Sequence, residues 1–76
     1  MSTIPEYEWE IFLNTIDDAV GFAMLGRVAD GFRRLEAGLQ RAGELSDGEA
    51  WGEDLLRRYG RALARFTERY GAKFLE

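Results

Sequence analysis

Seventy-six residues suffice for one domain and no more. The chain has no Cys and no His, which excludes disulfide staples, thiolate chemistry, imidazole general bases and the commonest transition-metal ligands. The net charge of −4 is ordinary for a small domain but unevenly placed: residues 1–30 carry six acidic side chains against Arg27 alone, and residues 57–73 carry six basic ones against Glu68.

The chain opens Met1-Ser2-Thr3-Ile4-Pro5-Glu6, with no basic stretch of the kind that begins a signal peptide. Its one apolar run, residues 20–25, is too short to cross a bilayer. A cytoplasmic protein is therefore expected. Thr3-Ile4-Pro5-Glu6 fits a capping box, with Thr3 as N-cap and Glu6 reaching back to it. Pro5 is tolerated in a first turn. This starts a helix over roughly 4–14, whose apolar face of Trp9, Phe12 and Leu13 continues through Ile16, Val20 and Ala23.

That face is out of phase with the next apolar series in the chain. Leu25, Val28, Phe32, Leu35, Leu39 and Ala42 step 3-4-3-4-3, the spacing of a helix seam. At ~100° per residue the two faces differ by roughly 125°. A break within residues 14–18 accounts for this. Asn14 or Thr15 would cap a second helix over roughly 16–43, with Asp17 and Asp18 in its first turn. The alternative is one long helix covered on both sides near residues 19–25, where apolar residues go almost all the way round. The break is preferred, giving three helices.

Gly43 is a natural helix stop. Ser46-Asp47-Gly48-Glu49 repeats the capping-box pattern, so a third helix is expected over roughly 47–74. Its seam, Leu56, Tyr59, Leu63, Phe66 and Tyr70, steps 3-4-3-4, with Phe32 and Phe66 central in their respective seams. Nothing alternates with period two. The expected fold is all-α: an antiparallel helical hairpin with a shorter N-terminal helix. Eleven seam positions exceed what one hairpin can cover, so a homodimer completing a four-helix-type bundle is expected. Gly21, Gly26, Gly31 and Gly38 would each cost ~1 kcal/mol in a helix interior. Close helix approach and compositional drift explain them equally well.

No reactive constellation stands out. Ser2, Thr3 and Ser46 read as terminus or caps, and Lys73, the only lysine, has no nucleophile to activate. Glu6 and Glu10 are helical neighbours, as are Asp17 and Asp18 in sequence, but a bundle metal site needs Glu-x-x-His. Residues 47–54 lack the ligand spacing of a Ca²⁺ loop, and no Gly precedes Lys-Ser or Lys-Thr as a phosphate loop requires. The chain is read as non-catalytic, without cofactor or metal.

The sharpest feature is a basic ladder. Arg57, Arg61, Arg65, Arg69 and Lys73 recur every fourth residue, with Arg58 beside them, and wind slowly along one side of the last helix. Glu53 and Asp54 neutralise its first turn; the later rungs have only Glu68 nearby. Like charges at this spacing disfavour a helix by ~0.2–0.5 kcal/mol per pair, so acidic groups should lie near. The acidic N-terminal segment, in the same chain or across a dimer, is the plain source. A solvated face is the plainest reading, an acidic protein surface the second, and nucleic acid the third, since the pI is about 4.8 and no second basic cluster exists. Tyr7 and Trp9 point to different faces of the first helix, and Trp51 opens the last one. These three aromatics join the six basic residues as candidate partner-binding positions. The reading is a small helical protein–protein interaction module, with a nucleic-acid-binding accessory protein as runner-up and no membrane association.

Overall fold

The structure, a computed structural model, describes residues 3–75, with side chains described for residues 3–71. Three helices run in succession: α1 (Glu6–Met24), α2 (Val28–Ser46) and α3 (Gly52–Leu75). The described residues contain no strand. Among them, no helix is long and apolar enough to cross a membrane.

The three-helix count agrees with the sequence, but the break does not. α1 runs unbroken through residues 14–18, and Thr15, the expected cap, is instead buried with its hydroxyl donating to the Ile11 carbonyl at 2.7 Å. The chain turns at residues 25–27. Gly26 there has φ +80°, in the left-handed region that other residues rarely adopt. The amides of Gly26 and Arg27 donate to the carbonyls of Ala23 and Phe22, which closes the helix end. Leu25, expected to begin the second seam, lies in this turn and is exposed. α1 is consequently as long as α2, 19 residues each, rather than the shorter helix expected.

Both expected capping boxes are absent as well. Pro5 occupies the N-cap of α1 with no side-chain cap bond. Ser46 ends α2, its hydroxyl donating to the Gly43 carbonyl at 2.7 Å, so α2 continues through Gly43. The loop falls at residues 47–51, and Trp51 supplies the carbonyl that accepts from the Leu55 amide.

The packing directions emerge from paired numbers. Glu8 meets Arg41 and Asp18 meets Arg34, so α1 and α2 are antiparallel. Gly38 lies under Tyr59 and Gly31 under Phe66, so α2 and α3 are antiparallel too. α2 thus packs closely on both neighbours, while α1 and α3 run parallel and approach each other far less. Two clusters make the core. Ile4, Phe12, Ala42, Leu55 and Tyr59 fill one end; Ala19, Ala23, Leu35 and Phe66 fill the other. In α3 the buried side is centred on Leu55 rather than Leu56, a small rotation of the expected seam. Phe66 is buried; Phe32 is half-buried and packs edge-to-face on it, centroids 4.9 Å apart.

Two glycines make the α2–α3 approach possible. A Cβ on Gly38 would stand 2.5 Å from the Tyr59 ring. On Gly31 it would stand 2.6 Å from the Phe66 ring and 2.8 Å from the Ala19 backbone oxygen. The aromatic rings of α3 therefore lie directly on the α2 backbone, and close approach is the reason for these two residues.

The α1–α2 side holds a polar pair within the core. Glu8 is 1% exposed, and its two carboxylate oxygens accept from Nη1 and Nη2 of Arg41 at 2.7 and 2.9 Å. This bidentate geometry is the strong form of a charge-assisted bond. Donation to the Glu8 carboxylate holds the Arg41 pKa above its ordinary value, against the opposing effect of partial burial. A raised pKa means that the stability contributed by the Arg41 guanidinium is lost only as pH rises into the arginine range.

Candidate functional site

Because α1 and α3 diverge, a groove of about 380 Å³ opens between them. Phe12, Ile16 and Val20 of α1 form one wall, and Ala62, Phe66 and Tyr70 of α3 form the other. Leu35 of α2 lies at the floor. One end is closed where Phe12 meets Tyr59 edge-to-face, centroids 4.8 Å apart.

The rim on the α3 side is cationic. Arg58, Arg61, Arg65 and Arg69 all line the groove. The reason is the winding of the ladder: each four-residue step turns the stripe by ~40°, so Arg57 stands outside and the later rungs enter. Arg58 lies over the Trp9 ring at 4.6 Å from its centroid and pairs with Asp54 at 3.5 Å. Arg69 lies 5.6 Å from the Tyr70 centroid. Among the described residues, Arg57, Arg61, Arg65 and Arg69 form no ion pair with a carboxylate.

Among the described residues, no ion pair joins the acidic front to the basic back. Where acids of α1 pair, they pair with α2: Glu8 with Arg41, and Asp18 with Arg34 at 3.3 Å. Glu6, Glu10 and Asp17 are exposed and form no ion pair among the described residues.

The other candidate residues separate. Trp9 is half-buried at the closed end of the groove, its ring edge-on to Phe12 at 5.8 Å. Tyr7 is exposed and, two residues before Trp9, points ~160° away from it around the helix. Trp51 is half-buried against the cluster of Ile4, Leu55 and Tyr59, where it closes the α2–α3 end. The Lys73 side chain lies outside the described residues.

Of the apolar face expected of α1, Phe12 and Ala23 are buried and Ile16 packs against both core clusters, but Leu13 and Val20 depart from it. Leu13 is instead 55% exposed, Met24 78% exposed, and Val20 borders the groove. The signal for this second apolar side was the run of apolar residues all the way round near residues 19–25. Among the described residues, no group of three or more Asp and Glu could hold a metal ion. The arrangement can hold an apolar body in the groove and an anionic group at its arginine edge. Comparisons with protein-family models, with curated proteins and with solved structures found no match for this chain.

Proposed function

We propose that this chain is a small helical protein–protein interaction module without catalytic activity, and that its working surface is the α1–α3 groove. The ligand is an acidic amphipathic helix of a protein, which the module would recruit, cap or inhibit. The observation that carries this reading is the row of Arg61, Arg65 and Arg69, without carboxylate partners among the described residues, set beside an apolar floor. Helix-in-groove recognition uses apolar anchors at i, i+3, i+4 and i+7, which a groove of this shape accepts. Rim charges then steer the encounter and set its direction. Nucleic acid fits less well. A phosphate backbone needs cations without an apolar slot, and the neighbouring α1 carries the exposed acids Glu6, Glu10 and Asp17.

The reading is tested with a synthetic acidic amphipathic helical peptide. Trp51→Phe leaves Trp9, under Arg58, as the sole tryptophan reporter. Saturable quenching or enhancement of Trp9 fluorescence, weakening with salt and abolished by Arg61→Gln/Arg65→Gln/Arg69→Gln, is the expected outcome. Absence of peptide binding together with a salt-sensitive mobility shift on generic DNA or RNA would replace the reading with the nucleic-acid one.

A further inference from the structure

The molecule carries both halves of a complementary surface, and we infer that the groove of each copy receives α1 of a second copy, making a reciprocal homodimer. This rests on the groove being a helix-binding surface and names its occupant. At ~100° per residue, Leu13, Val20 and Met24 fall within an arc of roughly 40° on α1. Glu6, Asp17 and Glu10 occupy the adjoining arc of similar width. The outward side of α1 is thus itself an acidic amphipathic surface, of the kind the groove is suited to hold. Leu13 and Met24 are 55% and 78% exposed, and they share this one arc of α1 rather than lying scattered.

The two charge rows match in length. Glu6 to Asp17 and Arg58 to Arg69 each span eleven residues, ~16 Å at helical rise. They also match in being left over: the acids of α1 that find partners in the chain find them on α2, and the arginines at the groove find no carboxylate beyond Asp54 among the described residues. A two-fold axis lets each copy give one helix and receive one, so a single contact satisfies both rows twice. In cross-section the order becomes α1, α3, α1 of the second copy, α3 of the second copy. The pair of helices that diverge within one chain become neighbours in a four-helix arrangement, with each α2 outside it.

Sedimentation equilibrium on the full chain tests this by charge swap. The unaltered chain should sediment as a dimer at micromolar concentration. Arg61→Glu/Arg65→Glu and Glu10→Lys/Asp17→Lys alter exposed side chains, so each should keep its helical circular dichroism. Each alone should dimerise ~100-fold more weakly, because like charges now face each other. An equimolar mixture of the two variants should restore the dimer. Arg61→Gln/Arg65→Gln, which keeps helix propensity, stands in if the first variant loses helicity, and should also shift towards monomer. An unaltered chain that stays monomeric yet binds the synthetic acidic peptide overturns the second copy as occupant and keeps the groove reading. A monomer that binds no peptide overturns both. A dimer indifferent to both charge reversals overturns this interface.

Discussion

The two flanks of α2 and the α1–α3 gap are built from the same helices by opposite means. Against α2, contacts are made at backbone distance. Glycines admit the Phe66 and Tyr59 rings, and the Glu8 carboxylate is buried only because Arg41 grips it with both arms. Across the gap, the α3 side carries long, flexible arginines beside Phe66 and Tyr70, with Arg61, Arg65 and Arg69 exposed at the rim. One region is closed and stringent about volume; the other is open and insensitive to single changes. Stability should therefore be concentrated on the α2 side and binding on the gap side.

Truncation of the ring that fills one end should show the largest effect. Phe66→Ala is expected to cost ~3–5 kcal/mol, enough to unfold most of a domain this small. Phe32→Ala should cost about half that, because the ring is half-buried. Equal losses in urea unfolding would mean that Phe32 is as fully buried as Phe66, rather than half-buried beside it.

The buried pair should rank second. Arg41→Met leaves the Glu8 carboxylate buried without its partner and should cost ~3 kcal/mol, the low end of the range since the Arg41 side chain is 45% exposed. Adding Glu8→Leu should recover much of the loss. Measured as a double-mutant cycle, a coupling near zero would place Glu8 in water. Because the Arg41 pKa is raised, the contribution of the pair should persist unchanged as pH rises from neutrality towards the arginine range.

Glycine substitutions should change sign between a glycine packed at the α2 contact and one with open space around it. Gly31→Ala meets the Phe66 ring and the Ala19 backbone oxygen, and should lose ~1–3 kcal/mol to overpacking. Gly60→Ala meets nothing within 4 Å and should gain up to ~1 kcal/mol in helix propensity. Thermal melts of the two variants moving in the same direction would contradict the contrast.

The smallest folding effect is expected in the gap. Arg61→Gln/Arg65→Gln/Arg69→Gln should change stability by at most ~1 kcal/mol, and relief of like-charge repulsion could raise it. Binding of an acidic helix should collapse in the same protein, first through the association rate. A large fall in melting temperature would show these arginines to be structural.

Much of this was legible in the residues, unevenly. The seam through Val28, Phe32, Leu35, Leu39 and Ala42 could be read because α2 is strongly two-sided. α1 could not be read the same way. Its apolar residues surround it, so period alone did not say which side faces α2. Glu8, one of the six acidic residues counted in the N-terminal segment, is core because a partner 33 positions away supplies both of its hydrogen bonds.

The capping patterns at Thr3 and Ser46 misled for a related reason. A cap is worth ~1 kcal/mol, and burial of a few side chains outweighs it. Ile4 goes into the core and Gly52 packs against the Leu45 backbone, and these contacts set where the neighbouring helices begin.

By itself, then, the sequence determined an all-helical chain of three segments, a cationic stripe winding along the last of them, and the absence of imidazole and thiol chemistry. These depend on residue type and on spacing within one helix. The tertiary structure decided where α1 ends, why Gly31 and Gly38 are glycines, which carboxylate is buried, and that the stripe enters a groove. Each of these depends on which surfaces meet across long sequence separations, and α1, with apolar residues on more than one side, left that choice to its neighbours.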